Sequence, residues 1–366
     1  MALSVGNTSN SAKRKRISAG YVGTTWTPRL IGNMVTASAT KDFSIMYAAD
    51  NATNNFGGTS WMYKSTNGGS TWGTVTSAGS AFYYYGIACS SNGSVVYLTR
   101  SDPTNNINLR MLKSSDAGAT WGTVIGTALL KYPAEVSCSS DGSVVYTNAN
   151  GTMNYSRDGG SNWTAITSPL GSVTSSGVLV GAQIGLGAFP KCSANGSVVI
   201  AKLATNYISS STNGGATWST ATTVGVGGTA GGTGDFRGFT VSGDGSVMYV
   251  TKYNNYIYKS SDSGATWGTV TSAGTNAWLG ISCSNDGSKV FVGFRSTIST
   301  SATGTVAYKS INGGTTWTPV NNNVYPLTRT HLYGSFNDGV CADDGAYATF
   351  VNNITIVGGL LTTSYI

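Results

Sequence analysis

An eight-residue phrase, Ser-x-Asn/Asp-x-Gly-x-Thr-Trp, occurs six times in the chain, with Asn in place of Thr in one copy. The copies are Ser65–Trp72, Ser114–Trp121, Ser156–Trp163, Ser211–Trp218, Ser260–Trp267 and Ser310–Trp317. Their spacing of roughly 40 to 55 residues is that of propeller blades and solenoid units, in which each repeat buries its apolar face against a neighbour. A remnant, Gly23-Thr24-Thr25-Trp26, marks a seventh repeat.

Between these copies runs a second phrase, Ser-x-Asp/Asn-Gly-Ser-x-Val, within Cys89–Tyr97, Cys138–Tyr146, Cys192–Ile200, Val241–Tyr249 and Cys283–Phe291, with looser versions at Ala37–Tyr47 and Cys341–Phe350. Asp-Gly or Asn-Gly between β-formers is a tight hairpin signal, because the turn needs positive φ. The Trp phrase also joins two short strands, such as Trp61–Lys64 and Gly73–Val75. Two hairpins per repeat make a four-stranded antiparallel sheet. The expected fold is therefore all-β, a seven-bladed β-propeller whose N-terminal strand completes the last blade beside an apolar strand at Ile354–Val357 and closes the ring. No segment reads as a helix.

A repeat running almost end to end argues for one domain, residues 19–366, preceded by a polar arm, residues 1–18, carrying Lys13, Arg14, Lys15 and Arg16. That arm reads as a solvated tail or as a contact for polyanions. Charged residues are 10% of the chain and the net charge is +7, with Glu135 the single Glu and His331 the single His. Such a field favours anionic partners. Neither a spanning apolar run nor a secretory h-region is evident.

All five cysteines, Cys89, Cys138, Cys192, Cys283 and Cys341, fall at one place on the first strand of different blades, with Val241 and Ala37 filling it elsewhere. Packed sheets lie about 10 Å apart and disulfides need Cα atoms within about 7 Å, so these read as small buried hydrophobes rather than bridges or metal ligands.

The Trp phrase is the Asp-box, or BNR repeat, and the chain resembles the Asp-box β-propellers over essentially its whole length. That group includes sialidases, xyloglucanases, sortilin-type receptors, photosystem II assembly factors of the Ycf48 type and lectin-like propellers, so the resemblance implies fold rather than function. It implies a structural role for Asn67, Asp116, Asp158, Asn213, Asp262 and Asn312, which cap backbone N–H groups. Trp72, Trp121, Trp163, Trp218, Trp267 and Trp317 are expected to be buried between blades.

Function in propellers usually lies on the opposite face. Aligning the blades on the cysteine places Tyr84, Phe236, Trp278 and Phe336 five residues before it, with Tyr132 one step away, and leaves Trp61 on a loop. These aromatics either rim the channel mouth, where they suit stacking on sugars, or pack blade against blade. Arg100, Lys202, Lys252 and Arg295 follow the second strand in four blades and Arg237 adjoins Phe236, a basic fringe suited to an acidic glycan.

Catalytic patterns are thin. A sialidase-like site needs a Tyr–Glu pair and three arginines, and Glu135 near Tyr132 is the nearest match. Pro28-Arg29-Leu30-Ile31 departs from the early motif of that family. Outside the turns the carboxylates available to a glycosidase reduce to Asp50, Asp102, Glu135, Asp235 and Asp338. No nucleophile elbow accompanies His331, and no metal or cofactor motif is present. The expectation is a non-enzymatic binding propeller that recognises a glycan or other polyanion on an extracellular or particle surface. The alternatives are a structural or assembly protein of a virion or other large particle with protein contacts, and a glycoside hydrolase.

Overall fold

The computed structural model describes residues 26–31, 34–50, 60–102, 105–125, 135–149, 152–166, 172–173, 179–180, 190–204, 207–219, 224, 235–294, 305–321, 339–341, 348–352 and 359–363. Within these the protein is built from antiparallel sheets that follow the sequence repeat.

The first unit pairs Met34–Ala39, Met46–Asp50, Met62–Ser65 and Gly73–Thr74 in order. The second pairs Tyr83–Cys89, Val96–Asp102, Asn105–Ser114 and Gly122–Ile125. The third comprises Val136–Cys138, Val145–Ala149, Thr152–Ser156 and Thr164–Ala165. Three strands of the fourth are described, Lys191–Cys192, Val199–Ala204 and Tyr207–Ser211. The fifth holds Phe236–Val241, Met248–Asn255, Ile257–Ser260 and Gly268–Val270. The sixth holds Asn276–Cys283, Val290–Phe294, Thr305–Ser310 and Thr318–Asn321, and Tyr253 and Asn255 pair with Ala277 and Asn276, so that the fifth and sixth units form one eight-stranded sheet rather than two separate four-stranded ones.

A terminal sheet unites the two ends of the chain: Trp26–Ile31 pairs antiparallel with Gly359–Thr363, which continues into Ala348–Asn352 and Gly339–Cys341. Gly339–Cys341 lies against the inner strands of both the sixth and the first units. The expected strand at 354–357 lies outside the described residues.

The core is a series of layers between adjacent units. Because side chains alternate across a strand, Val96 and Leu98 face back toward Tyr47 and Met62 of the first unit, while Tyr97 faces forward toward Val136 and Val145 of the third. Tyr146 with Val199, Ile200 with Met248, and Tyr249 with Trp278 repeat this arrangement. Burying each such side chain contributes about 1.5–3 kcal/mol.

Three expectations are corrected. The place of the cysteine is taken in the first unit by Ala39, not Ala37, since Ala39 pairs with Met46 as Cys89 pairs with Val96. Two one-turn 3-10 segments interrupt the β-structure, Thr76–Ala78 and Thr271–Ala273, each within the pentapeptide Val-Thr-Ser-Ala-Gly. Of the box tryptophans only Trp218 is buried, while Trp72, Trp121, Trp163, Trp267 and Trp317 are half-buried. The fourth strand beside each of these five begins with exposed residues; separately, in five of the six boxes, Trp218's included, the indole N–H bonds a carbonyl of its own box, as Trp72 Nε1 does to Gly69 O at 3.0 Å.

Candidate functional site

The connections from first to second strand and from third to fourth strand share one end of the sheets, the turn end. There each box closes on itself. Ser114 Oγ donates to Asp116 Oδ1 at 2.7 Å and accepts from Gly118 N, while Asp116 accepts from the amide and hydroxyl of Thr120. The Thr120 bonds, foremost among several, hold the exposed Asp116 carboxyl down at about 2. Asp158 and Asp262 are depressed to about 2 by the same kind of bonding. In the Asn boxes the amide substitutes for the carboxylate: Asn67 Oδ1 accepts from Ser65 Oγ and Thr71 N, and Nδ2 donates to Thr71 Oγ1. These groups are spent on the turn.

Basic residues adjoining the box serines are also engaged. Lys64 Nζ donates to Ala117 O, Lys113 Nζ to Gly159 O, Arg157 to Asn213 O and Gly214 O, and Lys259 Nζ to Gly313 O, each in the next unit. Tyrosines on the second strands make the same step: Tyr47, Tyr97, Tyr146 and Tyr249 donate to the turn carbonyls of Gly93, Gly142, Gly196 and Gly287. Sequence reasoning missed both sets. Their signals were the Tyr eight residues after the cysteine position and a cation next to the box serine, before it at Lys64, Lys113 and Lys259 and after it at Arg157.

The hairpin turns between first and second strands are linked from unit to unit by a chain of backbone bonds: Lys41 N to Ser91 O, Ser91 N to Ser140 O, Ser140 N to Ala194 O, Ala194 N to Gly243 O and Gly243 N to Asn285 O. They border a cavity of about 180 Å³ lined in part by Cys89, Cys138, Cys192 and Cys283. These thiols are free, and burial pushes Cys89 and Cys192 up to about 11 and Cys283 up to about 12. Ser38, Ser137 and Thr240 hydroxyls contact the sulfurs of Cys89, Cys192 and Cys283 from the preceding unit. Among the described residues no group of three or more His, Cys, Asp or Glu is placed to hold a metal.

At the opposite, loop end the aromatics aligned in sequence are packed rather than presented. Tyr84, Phe236 and Trp278 are each 0% exposed. Trp278 meets Phe294 and Tyr308 edge-on at 6.0 and 5.7 Å. Tyr84 donates to Gly79 O, and burial, partly opposed by Arg100, pushes its phenol up to about 12.

The basic fringe turns inward. Lys202 Nζ pairs with Asp235 Oδ1 at 2.9 Å, and Lys252 Nζ donates to Val224 O and lies 4.9 Å from the centre of the Phe236 ring. Burial holds the Lys252 ammonium below its ordinary range. The Arg100 guanidinium stacks on Phe82 at 3.7 Å and donates to Ala78 O. Arg237 lies over Tyr253 at 5.4 Å, with its Nε 3.9 Å from Asp235 Oδ2. Tyr132, Arg295 and Phe336 lie outside the described residues, as do Lys13, Arg14, Lys15 and Arg16.

Trp61 differs from the other described aromatic candidates because it stays half-buried. Its backbone N–H donates to Asp50 Oδ1 at 2.6 Å, and Tyr63 donates to Asp50 Oδ2 at 3.1 Å. Asp50 is buried, which raises its carboxyl above the ordinary value; burial and that carboxylate raise Tyr63. These two bonds tie Trp61 and Tyr63 to the last residue of Met46–Asp50. Glu135 engages Asn148 Oδ1 and Thr147 Oγ1 through its backbone.

The fold is that of known β-propellers. YCF48 from Cyanidioschyzon merolae superposes with a TM-score of 0.61 at 14% identity, covering 93% of this chain and 98% of that one. A structure of YCF48 bound to D1 peptide gives a TM-score of 0.60 at 12% identity, covering 94% and 96%. The GH74 xyloglucanase from Xanthomonas campestris gives 0.58 at 13% identity; 90% of this chain is covered, and it spans 52% of the enzyme's length. No family model and no curated protein matches the sequence.

Proposed function

We propose that the chain is a seven-bladed, ring-closed propeller that acts as a non-enzymatic binding scaffold, and that its partner is a protein segment rather than a sugar. Closure is supported by the terminal sheet, which contacts the first and sixth units and joins the two ends of the chain.

One observation carries the binding reading: most of the described aromatics and cations suited to a glycan are consumed inside the fold. Lys202 is spent on Asp235, Lys252 on Val224 O, Arg100 on Ala78 O, and Tyr84, Phe236 and Trp278 on packing. Catalytic chemistry finds little support in the same geometry. Asp235, a member of the glycosidase pool, is held in an ion pair.

The resemblance in size and outline to a single propeller, one example of which is bound to D1 peptide, is consistent with a peptide-binding role. Half-buried Trp61, whose backbone is pinned by Asp50, is the anchor we assign to such a segment. Selection of a displayed random-peptide library on the purified protein tests this. A peptide consensus should emerge, and its binding should be lost in Trp61→Ala without loss of melting temperature; no enriched peptide would count against the reading.

A further inference from the structure

We infer that Asn67–Gly68 is a self-modification site, where the first Asn box converts to an Asp box by deamidation while the other described Asn–Gly pairs are held back. The chemistry is intrinsic to Asn–Gly. The deprotonated Gly68 amide nitrogen attacks Asn67 Cγ, a C–N bond forms, the Cγ–Nδ2 bond breaks, and Nδ2 leaves as ammonia. Water then opens the succinimide; cleavage of the new C–N bond gives an ordinary aspartyl residue, and cleavage of the other gives an isoaspartyl linkage.

Access to the attacking nitrogen separates the sites. Gly68 is exposed, whereas Gly93, Gly196 and Gly214 are buried and Gly313 is half-buried. The Gly68 N–H bond to Ser44 O is long, 3.3 Å, against 2.6 Å for Gly214 to Ser197 O and for Gly313 to Ser288 O, and 2.9 Å for Gly93 and Gly196. A cation from the preceding unit also covers two of the boxes: Arg157 bonds Asn213 O and Gly214 O, and Lys259 bonds Gly313 O. A methyl group placed on the Gly68 Cα would have Phe43 O as its nearest neighbour, at 3.6 Å, against 2.6 Å to Arg157 at Gly214 and 3.0 Å to Lys259 at Gly313.

The aspartyl product fits the box already present elsewhere in the chain. Asn67 donates Nδ2 to Thr71 Oγ1 at 2.8 Å, while in the Asp box Thr120 Oγ1 donates to Asp116 Oδ2 at 2.5 Å. The bonds from the box serine and the Thr amide reach Oδ1 in both. Conversion therefore needs one hydroxyl to rotate, and adds one negative charge to the turn end. The isoaspartyl product lengthens the backbone between Ser65 and Gly69 and does not preserve the Gly69 N–H bond to Ser65 Oγ.

The test is site-resolved peptide mapping of the full-length protein held at mildly alkaline pH, folded and in urea, with the melting temperature of Asn67→Asp measured alongside. In the folded protein Asn67 should convert several-fold faster than Asn92, Asn195, Asn213 and Asn312, the five rates should converge in urea, and Asn67→Asp should melt with the wild type. A folded protein in which Asn67 does not lead, a lead that persists in urea, or a destabilised Asn67→Asp overturns the inference.

Discussion

The hydroxyl of Tyr97, on the second strand of one unit, donates to the carbonyl of Gly142 in the hairpin turn of the next at 2.7 Å, with Tyr97 fully buried. The same bond recurs from Tyr47, Tyr146 and Tyr249, so it is a stitch between units rather than a local accident. Tyr97→Phe keeps the ring and leaves the Gly142 carbonyl without this donor. The expected loss is about 1–2 kcal/mol, read from denaturant unfolding with unchanged slope.

At the first glycine position of the boxes the backbone is left-handed, and Ala117 and Ser263 occupy it at φ 57° and 58° where Gly68, Gly159, Gly214 and Gly313 stand in the other copies. Relief of that strain, set against the greater freedom of Gly in the unfolded chain, should make Ala117→Gly more stable by about 0.5–1 kcal/mol. A lower melting temperature for this variant would contradict the assignment.

Lys202 and Asp235 form a buried pair, so removing one partner strands the other. Asp235→Ala should cost about 3–5 kcal/mol, while a Lys202→Met, Asp235→Leu double variant recovers most of it. Equilibrium unfolding of the three proteins distinguishes an internal clasp from a surface charge, whose loss would be nearly silent.

The box aspartates give the acid limb of stability its shape. Asp116, Asp158 and Asp262 have carboxyls depressed from 3.8 to about 2 in the folded protein, so their contribution is fully present above about 4 and fades as the pH falls through about 2. Melting temperatures of the Asp116→Asn, Asp158→Asn, Asp262→Asn triple variant should fall less steeply than wild type over that window. Identical profiles would show that the boxes do not carry this linkage.

Much of the architecture was legible because both repeated phrases encode turns whose side chains satisfy their own backbone, as Ser114 and Asp116 do. In the first unit the cysteine place falls at Ala39 rather than Ala37 because Thr40-Lys41-Asp42 replaces the Ser-x-Asp/Asn-Gly phrase that marks it elsewhere. The loop end was less legible. Alignment located Arg100, Lys202 and Lys252 together, but whether a cation faces solvent or a carbonyl depends on the course of the segment entering each unit, which supplies Ala78 O and Val224 O. Asp50 drew attention only as a carboxylate, because its partners Trp61 and Tyr63 lie 11 and 13 residues further along the sequence.

The central claim is that this propeller binds protein segments through Trp61, at a loop end where most of the other described sugar-suited side chains are spent inside the fold. The most direct measurement probes one preparation in parallel with a peptide-display selection and with an array of neutral and acidic glycans, including xyloglucan fragments assayed for cleavage. The account predicts an enriched peptide family dependent on Trp61 and a blank glycan array without turnover; reproducible glycan binding or cleavage, with no peptide enriched, would contradict it.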